Sequence, residues 1–190
     1  MFEYPKIYSF PPFYTKQSNA TILENQLGEW DSVILQYCQY HRIYVLSPTG
    51  AVLSRQNDEV PLDSIFENKE IDRRVSPEFR RDILHHLIHK SKRAIYINNK
   101  KQDAGILVLW RTLEEWAELL RDHLEKTGQL GTILTVYELT KLEDSVIHEE
   151  FRNIDSTLFV RILEVLMKQG KAQILKSDEN PAEIGGVKII

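Results

Sequence analysis

The sequence predicts an α+β protein in which one small unit, three helices followed by a β-hairpin, occurs twice. Apolar residues recur at helical spacing in separate segments, and each half of the chain closes with two β-rich runs around a polar turn. The 190 residues, 42% of them hydrophobic and 27% charged, suffice for two small domains with cores of their own. We expect an arm over residues 1–17, a first domain over 18–109 and a second domain over 110–190.

The first 17 residues predict an extended arm, because their prolines exclude an α-helix and push the preceding residues toward extended conformations. Within the arm, Pro11-Pro12-Phe13-Tyr14 is typical of a polyproline II ligand, whose backbone the proline rings already fix. We therefore expect Phe13 and Tyr14 to fill an apolar pocket on another chain. The alternative is that the arm folds back onto its own first domain, since exposed aromatic rings favour aggregation.

The first unit opens with a helix that begins near Ser18 or Asn19, both good N-caps, and ends near His41. The apolar face of this helix consists of Leu23, Leu27, Trp30, Ile34, Tyr37 and Cys38. A strand over 43–46 follows, and residues 61–67 predict a short second helix. Ser76-Pro77 then supplies the cap and first turn of a third helix. Two β-rich runs, 93–97 and 105–110, predict the hairpin.

The second unit repeats this order. Thr112 with Glu115, and Thr135 with Glu138, are capping boxes that open its first two helices. A short strand over 132–134 separates them, a third helix runs from about Ile154 to Gln169, and the runs 172–175 and 186–190 form another hairpin. Three helices closed by a two-stranded wing are the winged-helix arrangement, a variant of the helix-turn-helix.

A winged helix first suggests DNA, but the charge pattern argues against it. The net charge is −4, and Glu78 and Asp82 interrupt the arginines of the first unit's third helix. The corresponding helix of the second unit mixes Arg161 with Asp155 and Glu164. Because phosphate binding needs a basic stripe, we expect no nucleic-acid partner, and a winged-helix DNA-binding transcription regulator stays as the alternative function.

The sequence also lacks the usual signs of an enzyme. It has no Gly-rich phosphate loop, nucleophile elbow or paired-cysteine motif, so we expect no catalytic residue and no cofactor. His85 and His89 could share a metal on one helix face, but without further ligands we interpret them as surface histidines. The single cysteine, Cys38, fits a reducing compartment and a buried position, and the start is not a signal peptide. We expect a cytosolic protein.

Several motifs together resemble the small subunits of ESCRT-II, the endosomal sorting complex. The likeness extends over nearly the whole chain, although 42–103 is supported mainly by the order of its elements. The residues that carry it are Ile7-Tyr8-Ser9-Phe10-Pro11-Pro12-Phe13-Tyr14-Thr15, Leu109-Trp110-Arg111 with Trp116, Leu134-Thr135-Val136-Tyr137-Glu138-Leu139-Thr140, and Glu150-Phe151.

The resemblance implies a non-catalytic adaptor in the sorting of ubiquitinated membrane cargo to multivesicular bodies. In that family, two copies of the small subunit join one copy each of two larger subunits, and the arm inserts into an apolar pocket on each larger subunit. By that match the docking residues here are Phe10, Pro11, Pro12, Phe13 and Tyr14. Pro11-Pro12-Phe13-Tyr14 also fits the Pro-Pro-x-Tyr pattern that WW domains bind. The family accepts Tyr or Phe at the fourth position of the motif, whereas a WW domain requires Tyr, which argues against a WW domain as the partner.

The resemblance also implies that the second domain recruits the first ESCRT-III subunit on the endosome membrane, which this chain reaches only through the complex. From Ile106 onward the chain has 10 Lys and Arg against 15 Asp and Glu, which is compatible with a basic partner helix. The candidate contact residues are Glu143, Asp144, Glu149 and Glu150.

Overall fold

The computed structural model describes residues 1–143 and 147–190 and divides the chain into two compact units, Met1–Trp110 and Arg111–Ile190. The helices are α1 Ala20–Tyr40, α2 Pro77–His89, α3 Leu113–Lys126, α4 Val136–Thr140 and α5 Ser156–Lys168. The strands are β1 Ile43–Leu46, β2 Val52–Arg55, β3 Glu67–Asn68, β4 Arg73–Arg74, β5 Ala94–Tyr96, β6 Ile106–Val108, β7 Ile133–Leu134, β8 Ala172–Lys176 and β9 Ile184–Ile189. The predicted α+β class is confirmed.

The two long helices of the first unit begin at the predicted caps. The Asn19 side chain accepts hydrogen bonds from the amides of Thr21 and Ile22 at 3.0 and 3.1 Å. The Ser76 hydroxyl accepts one from the Phe79 amide at 3.1 Å. Each cap satisfies backbone donors that the first helical turn leaves without an intrahelical partner, which explains why short polar residues mark both starts.

A four-stranded antiparallel sheet of order β2-β1-β6-β5 completes the first unit. The predicted hairpin is present as β5 and β6, with Ile95 opposite Leu107. In addition, β1 pairs with both β2 and β6, which the sequence did not predict. Every residue of the two central strands is buried, so their unbroken apolar runs suit positions with neighbours on both edges.

The helix predicted over 61–67 is wrong. Residues 61–64 are irregular, a turn occupies 65 and 66, and β3 then pairs with β4 in a short hairpin. The Ser64 hydroxyl accepts a hydrogen bond from the Phe66 amide at 3.3 Å, a local turn that competes with helix formation. Ile65 and Phe66 are both buried, and the burial of two successive side chains suits a tight turn over the core.

The second unit follows its prediction closely. Both capping boxes form, at Thr112 with Glu115 and at Thr135 with Glu138. The third helix, α5, begins after Asp155, whose carboxylate accepts a hydrogen bond from the Leu158 amide at 3.0 Å. The wing is a three-stranded sheet of order β7-β9-β8, because the short strand before α4 also pairs with the hairpin.

The turn between β1 and β2 requires glycine at position 50. Gly50 has a φ of +84°, in the left-handed region that side chains disfavour. A Cβ atom built there would lie 2.5 Å from Cδ2 of the buried Phe66 ring. Gly28 is different, because it lies inside α1 and a Cβ there would meet no atom within 4 Å.

We expect Gly50→Ala to lower the free energy of unfolding by about 2 kcal/mol or more, since it combines a strained backbone with a clash against a core ring. Gly28→Ala is the matched control and should raise it by roughly 0.5–1 kcal/mol, because alanine favours a helix interior. Urea titration of both variants measures the difference. Equal effects of the two substitutions would contradict this account of the turn.

Candidate docking surface

The arm folds back onto the first unit through two short 3₁₀ turns, Lys6–Ser9 and Pro11–Tyr14. The Phe13 amide donates to the Phe10 carbonyl at 3.0 Å, and the Thr15 amide donates to the Pro12 carbonyl at 3.2 Å. This path differs from the polyproline II arm that the sequence suggested. The fixed φ of proline also suits the first positions of a helical turn, where its missing N–H is not needed.

Phe13 and Tyr14 are part of the chain's own core. The Phe13 ring stacks on the Trp30 indole with centroids 4.2 Å apart and planes 6° from parallel. The Tyr14 ring meets the same indole edge-on at 5.5 Å. The two residues are only 2% and 3% exposed, so the rings that we expected in a partner's pocket fill a pocket of the first unit instead.

Two side chains of α1 hold the arm by its backbone. The Trp30 indole N–H donates to the Phe13 carbonyl at 3.0 Å. One turn earlier in the helix, the Gln26 amide donates to the carbonyls of Phe13 and Thr15 at 3.1 and 2.8 Å. The Gln26 side-chain oxygen accepts a hydrogen bond from the backbone N–H of Gln17 at 3.2 Å. The bonds from Trp30 and Gln26 give the buried Phe13 carbonyl the donors that it needs.

A second group of hydrogen bonds fixes the beginning of the arm. The Tyr8 hydroxyl donates to the Ile65 carbonyl at 2.9 Å, and the Asn68 amide donates to the Tyr8 carbonyl at 3.0 Å. The Tyr14 hydroxyl donates to that same carbonyl at 2.7 Å. Burial raises the pKa of the Tyr8 hydroxyl far above its usual range, so it stays a neutral donor.

The part of the arm around Phe10 exposes apolar side chains. Phe10 is 54% exposed, and the Pro11 and Pro12 side chains are also exposed. Phe10 and Pro12 line one shallow groove together with Ile7 and with Ile22 of α1, which is 53% exposed. We call this surface, formed by Ile7, Phe10, Pro12 and Ile22, the apolar groove. Its rim is polar, with Gln17, Asn25 and Glu29, and the buried side chains of Phe13 and Gln26 also line it.

The motif therefore separates into two parts. Phe10, Pro11 and Pro12 face outward, whereas Phe13 and Tyr14 support them from inside. Ile22 belongs to the same surface and sequence reasoning missed it, although one signal was available. It is a large apolar residue at the start of the first helix that lies outside the predicted buried face of that helix.

The acidic candidates of the second unit are not equivalent. Glu143 and Glu149 are exposed, whereas Asp144 lies outside the described residues. Glu150 is partly buried and forms an ion pair with Arg111, with Nη1 and Oε2 2.9 Å apart. The Arg111 guanidinium also lies 4.4 Å from the centroid of the Trp116 ring. Glu150 thus has a structural role inside the second unit.

The remaining reactive side chains of the first unit have structural explanations. Burial raises the pKa of the Cys38 thiol, which keeps it protonated. His86 is buried between α1 and α2, where its two ring nitrogens lie 2.7 Å from Asp31 Oδ2 and 3.0 Å from Glu24 Oε1. Burial by itself lowers the pKa of His86, but the two carboxylates outweigh it and raise the pKa overall. His86 of α2 thus bonds two carboxylates of α1 and stabilises the packing of the two helices.

The exposed histidines of α2 do not make a metal site on their own. The ring centroids of His85 and His89 lie 4.3 Å apart on the exposed side of the helix. Among the residues that the structure describes, no group of three or more metal-ligating side chains comes together. A stable metal site needs more ligands than this pair supplies.

The fold places the chain among α+β proteins built from two helix-and-wing units. The sequence model of the family described as "ESCRT-II complex subunit" matches residues 7–155. The chain belongs to this family, one of vacuolar protein sorting, and the resemblance noted from the motifs is confirmed.

Relatives and solved structures agree with the family. Vacuolar protein-sorting-associated protein 25 of Danio rerio is 34% identical over 178 residues, 94% of this chain and 95% of that protein. The Saccharomyces cerevisiae protein of the same name is 30% identical over 201 residues, 98% of each. The crystal structure of subunit VPS25 of the endosomal trafficking complex ESCRT-II is similar, with a TM-score of 0.83, 28% identity, and coverage of 98% of this chain and 100% of that one. The VPS22/VPS25/VPS36 crystal structure of ESCRT-II contains a chain with a TM-score of 0.79, 29% identity and 98% coverage of both.

The two parts of the motif should respond differently to mutation. Phe13→Ala removes a buried ring that stacks on Trp30, so it should lower the free energy of unfolding by about 3–5 kcal/mol. Phe10→Ala removes a ring that is mostly in water, and its effect should stay within about 0.5 kcal/mol. Chemical denaturation of the isolated chain measures both. Similar losses for the two variants would show that Phe10 also belongs to the core.

Proposed function

We propose that this chain is a non-catalytic adaptor subunit of ESCRT-II, acting in the sorting of ubiquitinated membrane cargo to multivesicular bodies. Its family membership supports this proposal, as does its likeness to a chain in the complex described as VPS22/VPS25/VPS36. On this proposal, each of two copies docks on one of the two larger subunits. The chain acts in the cytoplasm, peripheral to the endosome membrane.

The observation that carries the docking proposal is the apolar groove. A contiguous exposed apolar surface with a polar rim is typical of a protein-binding site. Phe10, Pro11 and Pro12 remain the proposed contact residues, and Ile7 and Ile22 extend the surface. Phe13 and Tyr14 serve the same interface from inside, because they fix the backbone on which the outer residues sit.

The partner therefore meets a surface that is already shaped. Phe10, which two prolines follow, loses little conformational freedom when its ring enters a pocket, since the folded turn that begins at Phe10 holds its backbone. This favours a concave apolar site on each larger subunit as the receptor for Phe10. On this proposal Phe10, rather than Phe13 and Tyr14, is the ring that enters the partner's site.

For the second unit we propose recruitment of the first ESCRT-III subunit. Glu143 and Glu149 are exposed and, with Asp144, remain the candidate contacts for a basic partner helix. Glu150 ranks below them because its carboxylate is paired with Arg111. Within 1–143 and 147–190, every helix is too short or too polar to cross a bilayer, and we propose that membrane association comes through the complex.

The surface of α5 favours a protein partner over DNA. In a DNA-binding winged helix the third helix enters the major groove and needs a basic face. The outer side of α5 instead carries Glu164 and the exposed apolar residues Val160 and Met167 beside Lys168. Such a face gives phosphate groups little net attraction.

Binding of purified chain to the two larger subunits tests the docking proposal. We expect Phe10→Ala to raise the dissociation constant roughly thirtyfold, the effect of losing a hot-spot residue of about 2 kcal/mol. Tyr137→Ala is the control, because Tyr137 is an equally exposed aromatic residue, at 56%, in the second unit. Affinity that survives Phe10→Ala unchanged would remove the groove as the docking site.

A further inference from the structure

We infer that Gln26 is a positioning residue for docking, which sets the affinity for the larger subunits by holding the arm in its folded-back shape. This inference rests on the proposed function and adds a residue of α1 that lies outside the docking motif. Gln26 is 7% exposed, and the hydrogen bonds of its side chain are all made to the backbone of the arm.

The chemistry of the contact requires an amide. The Gln26 nitrogen lies within hydrogen-bond distance of three carbonyl oxygens, those of Pro12, Phe13 and Thr15, at 3.3, 3.1 and 2.8 Å. The oxygen of the same side chain accepts a hydrogen bond from the backbone N–H of Gln17 at 3.2 Å. Glutamine offers both a donor pair and an acceptor on one planar group. A negatively charged carboxylate at this position would have no N–H to donate, and it would be repelled by the three carbonyl oxygens.

The position of these contacts connects them to the apolar groove. Pro12, Phe13 and Gln17 all line the groove, so the carbonyls that Gln26 bonds belong to the segment that forms one wall of it. Trp30, one helical turn on, holds only the Phe13 carbonyl and ring. Gln26 therefore bonds the backbone of the arm both before Phe13, at Pro12, and after it, at Thr15 and Gln17.

Loss of these hydrogen bonds should reduce binding through the population of the folded-back arm, since Gln26 borders the groove but is only 7% exposed. A chain whose arm is folded back only part of the time binds with an affinity lowered by that fraction, because the partner recognises the folded-back form alone. If the arm is folded back in about one tenth of the molecules, the dissociation constant should rise roughly tenfold. The loss of affinity and the population of the folded-back arm should therefore match.

The experiment measures both quantities on the full chain. Gln26→Glu is the test variant, and Gln36→Glu is its control, since Gln36 is exposed on the same helix and undergoes the same change of charge. NMR amide shifts and hydrogen exchange of Phe13, Thr15 and Gln17 report the population of the folded-back arm. Binding to the two larger subunits gives the dissociation constants, with Phe10→Ala measured in parallel.

We expect Gln26→Glu to open the arm and weaken binding by the same factor, with Gln36→Glu unchanged in both measurements. An opened arm with unchanged affinity would overturn the role of Gln26 while the effect of Phe10→Ala still supports docking. If Phe10→Ala itself leaves binding intact, the docking proposal fails instead. If the α2 amides of Gln26→Glu lose protection from hydrogen exchange, that variant has disturbed the first unit as a whole. Gln26→Met, which removes the hydrogen bonds without adding charge, then takes its place, and its loss of affinity should again match the opening of its arm.

Discussion

The stacking of Phe13 on Trp30 is the contact on which the shape of the arm depends. It brings a residue of the proline-rich segment onto the middle of α1, where Gln26 and Trp30 can reach its backbone. Burial of this ring, together with the rings of Tyr8 and Tyr14, offsets the cost of ordering the segment. The Tyr8 and Tyr14 rings meet the same indole edge-on, so Trp30 is the common contact of the three buried rings of the arm.

This contact divides the motif by function. Two of its aromatic rings stabilise the unit to which they belong, and the residues just before them face outward with their backbone already set. A protein that docks through such a surface avoids much of the ordering cost of a flexible peptide. The stability of the first unit and the affinity for a partner are thus linked through the same few residues.

Local signals in the sequence predicted most of the secondary structure. The caps at Asn19, Ser76, Thr112 and Thr135 lie where short polar residues precede apolar periodicity, because the interaction that they make spans only two or three residues. The pairing of β1 with β6 joins residues about sixty positions apart, and nothing in either strand specifies that partner. The helix predicted over 61–67 is wrong because the apolar residues Ile65 and Phe66 fit a tight turn as well as a helix.

The candidate site was predicted only in part, because its shape also depends on contacts between residues that are distant in the sequence. Composition alone indicates that aromatic residues next to prolines will be buried somewhere, but it cannot say whether the pocket is on another chain. The decision depends on Trp30, which is 17 residues from Phe13 along the chain and looks like any other apolar residue of an amphipathic helix. Likewise, the pairing of Glu150 with Arg111 joins residues 39 positions apart, so the sequence did not indicate it.

The most direct test of the central claim is an NMR measurement on the free chain, made before any partner is added. Nuclear Overhauser effects between the ring protons of Phe13 and Trp30, together with a Trp30 indole proton protected from exchange with water, are the result that the folded-back arm requires. Random-coil shifts for residues 8–15 and a freely exchanging Trp30 indole proton would show that the arm is extended in solution, which contradicts this account.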